Sequence, residues 1–149
     1  MILISHRGNI NKKNQNLENN PYQIDRAIKI GFDVEIDVRL SSGDWYLGHD
    51  SNDFKIDFEW MINRSKNLWV HCKNIDSVEF LSSKKVDLNF FWHQKDDLTL
   101  TSKNFIWVFP GKQPIKNSIS VLPEIHNDDV SQSIGICSDI ILNYKKIYE

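Results

Sequence analysis

Residues Asp33–Val38, with the sequence DVEIDV, alternate acidic and apolar side chains. In a β-strand successive side chains point to opposite faces, so the apolar residues share one face and the acids share the other. The apolar face requires burial, and Glu35 and Asp37 then point together toward a site. Two carboxylates on one face repel each other unless a positive charge lies between them. Taken alone, the pattern is more typical of a half-exposed strand with its acids in water. The alternative is a strand whose acidic face holds a divalent cation, Mg²⁺, Mn²⁺ or Ca²⁺.

A helix is predicted before this strand and a return strand after it. Asn20 is a favourable N-cap residue, Pro21 suits the first helical position, and Gly31 suits the end of the helix. Downstream, Ser42–Asp44 is typical of a turn, and Trp45–Leu47 reads as a strand that returns from it.

Apolar runs elsewhere in the chain predict further strands and helices. The predicted strands are Ile2–Ser5, Leu68–Lys73, Leu88–His93, Phe105–Phe109, Ile119–Leu122 and Ile134–Leu142, and the predicted helices are Phe58–Asn63 and Ile75–Leu81. Strands that alternate with helices favour a parallel sheet. The connections after Phe91 are too short for helices, so we expect few of them in the second half.

Composition predicts one soluble, globular domain over residues 1–149. Hydrophobic residues make up 40% of the chain and charged residues 26%, which excludes a disordered protein. The net charge of −2 gives no basic surface for nucleic acid. The chain has no apolar run of about 18 residues and no signal-like N-terminus, so we expect a cytoplasmic protein without a membrane segment. For Cys72 and Cys137 we expect two reduced core thiols rather than a disulfide.

Two histidines follow predicted strands on either side of the acidic pair. His6 is followed by Arg7 and Gly8, and His49 is followed by Asp50. Histidine exchanges a proton near neutral pH. Arginine offers a fork of hydrogen-bond donors, and glycine permits close approach of the backbone, so this group suits a phosphate site. A single histidine at a strand end is more often structural, but two that bracket an acidic pair favour catalysis.

Four short motifs in this order resemble the glycerophosphodiester phosphodiesterase family. They are HRG at 6–8, EN at 18–19, GFDVEIDV at 31–38 and GHD at 48–50. The family pattern is H-R-G, E-N-T, G-x-D-x-E-x-D and H-D. The match covers roughly the first third of the chain. Two later segments, WVHCK at 69–73 and GICSD at 135–139, resemble more loosely the E-x-K and G-x-x-T-D strands of the family.

The resemblance implies a TIM-type (β/α) barrel whose site lies at the carboxyl ends of the strands. It implies catalytic His6 and His49, metal ligands Glu35 and Asp37, and phosphate-binding Arg7 and Lys73. It also matches Glu18 to an acid in the first loop of the family.

The chain departs from the family in one ligand and in length. His71 stands where the family has a third metal-binding Glu, and its side chain shares a face of the strand with Lys73. An imidazole ligand favours Mn²⁺ or another transition ion over Ca²⁺; Glu18 or Glu124 is a further candidate ligand. Since a full barrel usually needs about 250 residues, 149 residues predict an abbreviated barrel with reduced helices in its second half. The insertion that shapes the family's glycerol pocket is also missing.

The predicted function is a metal-dependent phosphodiester hydrolase that uses two histidines as acid and base on a small phosphodiester. One alternative is a metal-dependent phosphomonoesterase or lyase on the same barrel. Another is a module that binds a phosphate-bearing ligand without turnover.

Overall fold

A curled sheet forms the centre of the structure, a computed structural model that describes residues 1–148. The ten strands are β1 (Ile2–His6), β2 (Asp33–Ser41), β3 (Asp44–Leu47), β4 (Phe54–Ile56), β5 (Leu68–Cys72), β6 (Asn89–Phe91), β7 (Leu98–Leu100), β8 (Ile106–Val108), β9 (Ser118–Val121) and β10 (Gly135–Ser138). The helices are α1 (Pro21–Ile30), α2 (Phe58–Ile62), α3 (Ile75–Ser83) and α4 (Ile141–Tyr148), and Pro123–Ile125 forms a 3₁₀ turn. This is a mixed α/β fold.

Seven of the strands run parallel, in the spatial order β6-β5-β2-β1-β10-β9-β8. The β3–β4 hairpin extends the second half of β2, and β7 pairs with β8 antiparallel. Within the described residues β6 and β8 do not pair, so the sheet curls without closing. Phe91 and Trp107 contact each other across this gap, with ring centroids 4.6 Å apart.

The sheet buries apolar residues on both of its faces. The inner core fills the concave face and contains Ile4, Trp69, Phe91, Trp107, Ile119, Val121 and Cys137. The outer core packs the convex face against the helices. Val34, Ile36 and Val38 of β2 are fully buried in the outer core, while Glu35 and Asp37 point to the concave side. The predicted alternation of β2 is therefore confirmed.

Helix α1 begins and ends where its sequence predicts. The Asn20 side chain accepts a hydrogen bond from the backbone nitrogen of Tyr22 at 2.9 Å, which satisfies one free donor of the first turn. Gly31 ends the helix in a left-handed conformation, with φ of 101°, that suits glycine. Ile24 and Ala27 are the fully buried residues of the helix, and they fix α1 against the sheet.

One predicted strand is partly wrong, and the structure contains two strands that the sequence did not predict. The predicted strand Ile134–Leu142 is wrong beyond Ser138, because the chain turns and Ile141 begins α4 with its side chain in the outer core. A short apolar run fits a buried helix as well as a strand, and its length alone did not separate them. Strands β4 and β7 were not predicted. Both cysteines are buried and free, as expected, with Cys72 in the outer core and Cys137 in the inner core.

Few helices cover the second half of the sheet, as predicted. Within residues 92–134, all of which are described, the only helical element is the 3₁₀ turn. The outward side chains of β9 are small: Ser118 and Ser120 are fully buried, and Gln113 from the preceding loop donates a hydrogen bond to Ser118 Oγ at 3.0 Å. A loop thus covers the convex face here. No helix in the described chain has the length and apolar character needed to cross a membrane.

Candidate active site

Charged side chains gather above the inner core, where β1 and β5 end beside the middle of β2, whose parallel pairing with β5 ends at Val38. Because parallel strands end at the same edge of a sheet, residues far apart in sequence meet there. The predicted residues that line one cavity of about 300 Å³ are His6, Arg7, Glu35, His49, His71 and Lys73. Asp37 is fully buried beside them.

The turn after β1 directs Arg7 back over the acids. Arg7 and Gly8 both have left-handed backbones, with φ of 55° and 85°. The Arg7 guanidinium lies between two carboxylates. Arg7 Nη1 is 2.9 Å from Glu18 Oε2, and Arg7 Nε is 2.9 Å from Asp37 Oδ2. The backbone nitrogen of Arg7 also donates to Glu35 Oε2 at 3.2 Å. Burial opposes the charge of Arg7, but the carboxylates outweigh it and raise its pKa.

Glu35, Asp37 and His71 form what we call the cation group. One ligand atom from each lies within 4.8 Å of the others. His71 Nδ1 is 3.4 Å from Glu35 Oε1 and 3.3 Å from Asp37 Oδ1. On the other side of the ring, His71 Nε2 donates to the carbonyl oxygen of His93 at 2.8 Å, and the ring stacks on Phe91. This hydrogen bond fixes the orientation of the ring and leaves Nδ1 toward the carboxylates.

Without a metal ion, a proton on His71 takes the place of a cation in this group. Burial of the imidazole opposes the charge, but the nearby carboxylates of Asp37 and Glu35 outweigh burial and raise the pKa of His71 to about 9. Burial would likewise raise the pKa of Asp37, but His71 and Arg7 hold it well below its ordinary value. Both carboxylates therefore already face a positive charge.

The chemistry of these three residues fits a divalent metal ion. Asp37 Oδ1 is buried and has no hydrogen bond, since its contact with His71 lacks the required geometry. A buried carboxylate oxygen without a hydrogen bond is rare in folded proteins, and a metal ion would satisfy it. Two carboxylates and one imidazole nitrogen suit Mn²⁺ or another first-row transition ion.

His6 is held by a chain of buried polar groups. Its Nδ1 lies 2.7 Å from Asp139 Oδ1, an oxygen that also accepts from Asn9 Nδ2 at 2.8 Å. The backbone nitrogen of Asp139 donates to Glu124 Oε1 at 3.1 Å. On the opposite side of the ring, His6 Nε2 is 3.9 Å from Glu35 Oε2. Burial lowers the pKa of His6, but the hydrogen bond to Asp139 and the charge of Glu35 produce a net increase.

His49 reaches the cavity from the loop between β3 and β4. Its Nδ1 lies 2.7 Å from Asp50 Oδ1, and its Nε2 lies 3.3 Å from Lys73 Nζ. Arg39 donates to the carbonyl oxygen of His49 at 2.7 Å and anchors the loop. Gly48 has a φ of 150°, and a Cβ there would lie 2.0 Å from the carbonyl oxygen of Ser51, so the tight loop requires glycine.

The two further candidate ligands lie outside the cation group. The carboxylate of Glu18 contacts Arg7 and Asn9, and that of Glu124 accepts from Ser138 Oγ at 2.7 Å and from the backbone nitrogen of Asp139. Neither belongs to the group of ligand atoms found among the described residues.

Sequence reasoning gave no role to three residues that support the site. Asn19 holds Asp37 from two sides. Asn19 Nδ2 donates to Asp37 Oδ2 at 2.9 Å, and Asn19 Oδ1 accepts a hydrogen bond from the backbone nitrogen of Asp37 at 2.9 Å. Asp139 orients His6, and the carbonyl of His93 orients His71. The signal for Asn19 and Asp139 was their position inside the EN and GICSD motifs.

Comparisons of the chain with protein-family models, with curated proteins and with solved structures found no match. The function of the chain is therefore inferred from its motifs and from the geometry of the cavity.

Proposed function

We propose that this protein is a metal-dependent phosphodiester hydrolase, similar to glycerophosphodiesterases and built on an abbreviated TIM-type barrel. The observation that carries the proposal is the cation group. Its Asp37 is fully buried with one oxygen that lacks a hydrogen bond, while its Glu35 and His71 line a cavity that also holds two histidines and two cationic side chains. The proposed barrel is supported by seven parallel strands that curl around an inner apolar core and by a site that lies where β1 and β5 end, beside the middle of β2.

The hydrogen bonds of the two histidines support a role in proton transfer. Each has one ring nitrogen on a carboxylate, Asp139 for His6 and Asp50 for His49, and this leaves Nε2 to exchange a proton. One imidazole takes the proton of the attacking hydroxyl, and the other gives a proton to the leaving oxygen. In the present geometry His49 Nε2 contacts Lys73, so substrate must displace this contact for His49 to act.

The charges of the cavity suit a phosphodiester anion. Arg7 and Lys73 both line it and stabilise negative charge on the phosphoryl oxygens. A divalent ion bound to the cation group supplies Lewis-acid stabilisation of the same charge. Asn19 and Arg7 hold Asp37 in place independently of that ion.

Hydrolysis of bis(4-nitrophenyl) phosphate and of 4-nitrophenyl phosphate, with Mn²⁺, Mg²⁺, Ca²⁺ or a chelator, tests the proposal. We expect metal-dependent cleavage of the diester. His6→Ala or His49→Ala should each lose a factor of about 10²–10⁴ in kcat, and the double variant should lose little more, because the two act as a unit. His126→Ala, which changes a histidine outside the cavity, is the matched control.

Two results would contradict the proposal. Cleavage of the monoester alone would indicate a phosphomonoesterase. Absence of turnover on any ester, with phosphate binding retained in calorimetry, would indicate a binding module.

A further inference from the structure

The cavity has one charged wall and one apolar wall. The charged wall comes from β1, β2 and β5. The apolar wall comes from β8, β9 and the turns that follow them, and it consists of Trp107, Phe109, Pro110, Val121, Leu122 and Ile125.

The apolar wall reaches from the inner core to the mouth of the cavity. Trp107 and Val121 are almost fully buried and form the inner end. Ile125, on the 3₁₀ turn, is 58% exposed. Leu122 precedes this turn with a φ of 46°, a left-handed conformation that non-glycine residues rarely adopt. This wall therefore keeps apolar surface open to solvent next to the charged wall.

A second cavity, of about 320 Å³, lies on the other side of Arg7 and His49, which line both cavities. Its remaining lining residues are polar or charged, among them Lys13, Gln15 and Asp53. Arg7 and His49 thus stand at the junction between a polar cavity and a partly apolar one.

We infer that the ligand of this site is a phosphate ester that joins a polar alcohol to an apolar one, an inference that rests on the proposed function. The phosphate lies at the junction, beside Arg7. Its polar alcohol occupies the second cavity, and its apolar alcohol lies along the wall from Trp107 to Ile125. A diester of two small polar alcohols would leave this apolar wall in water.

The size of the cavity limits how much of the apolar alcohol is buried. About 300 Å³ is at the small end of ligand pockets, so a short alkyl chain fills it and a longer chain leaves past Ile125. Each methylene group buried along the wall should raise affinity roughly fourfold.

Calorimetric titration with ethyl, butyl, hexyl and octyl phosphate in the presence of Mn²⁺ tests the apolar wall without turnover. We expect affinity to rise by roughly sixteenfold for each added pair of methylenes until the cavity is filled. Ile125→Ser should reduce this dependence on chain length. Ile75→Ser, which changes a 74% exposed isoleucine on α3 outside the cavity, should leave it unchanged. Affinity independent of chain length, no binding, or equal effects of the two variants would each overturn the inference.

Hydrolysis of the matching glycerophospho-alkyl diesters separates this inference from the proposed function. Affinity that increases with chain length, without cleavage of any diester, would support a ligand with one polar and one apolar alcohol and would contradict the proposed hydrolase activity. Cleavage of all chain lengths with equal kcat/KM would support the hydrolase and overturn the inference.

Discussion

Replacing His71 by Gln should remove a pH-dependent part of the stability of the metal-free protein. His71 lies within 3.4 Å of Glu35 and 3.3 Å of Asp37, and these contacts raise its pKa from 6.5 to about 9. At about 1.36 kcal/mol per pKa unit, this increase in pKa contributes roughly 3 kcal/mol to the free energy of unfolding. Because the folded-state pKa is the higher one, this stabilisation is fully present below pH 6.5 and is lost as the pH rises through about 9.

Urea unfolding in a chelator, followed by tryptophan fluorescence between pH 6 and pH 9.5, measures this contribution. The difference in unfolding free energy between wild type and His71→Gln should shrink as the pH rises. Titration of Cys72 and Cys137 affects both proteins and cancels in this difference. His126→Gln, at an exposed histidine, should show no such trend. A wild-type advantage over His71→Gln that stays constant across the pH range would refute the ion pair.

Three further predictions concern the metal and His6. At pH 7.5, Mn²⁺ should displace the proton of His71, so calorimetry in buffers of different ionisation enthalpy should show release of about one proton per ion. Glu35→Gln should abolish Mn²⁺ binding, whereas Glu18→Gln, at a carboxylate outside the cation group, should retain it; equal affinities would remove Glu35 from the site. Asp139→Asn should lower the pKa of His6, so the limb of the pH profile of kcat/KM that reports His6 should move to lower pH. A limb that stays at the same pH would contradict the role of Asp139 in holding the proton of His6.

The local pattern of the sequence predicted the parts of the fold that depend on neighbouring residues. The alternation of Asp33–Val38 determined which side chains of β2 enter the concave face. Asn20 and Gly31 determined the bounds of α1. The convergence of His6 and His71 followed from a general property of parallel sheets, whose carboxyl ends share one edge.

The remaining features depend on long-range contacts that no local pattern carries. His6 and Asp139 are 133 positions apart, and their pairing depends on β1 lying beside β10. The carbonyl of His93 orients His71 only because β6 pairs with β5. Asn19 reaches Asp37 through a loop whose path has no periodicity, and its φ of 59° is not evident from residue type alone.

The charge balance of the site is compatible with the proposal that His71 stands in place of a metal-binding carboxylate. Glu35 and Asp37 together carry two negative charges, which match one divalent ion, while Arg7 is also paired with Glu18. A third carboxylate would leave a negative charge beside the phosphate. A neutral imidazole ligand would avoid that charge, and under the proposed function Lys73 would face a phosphodiester anion without a competing carboxylate from position 71. The replacement should therefore weaken Ca²⁺ binding, since Ca²⁺ prefers oxygen ligands, while it strengthens the attraction of the loaded site for an anionic ester.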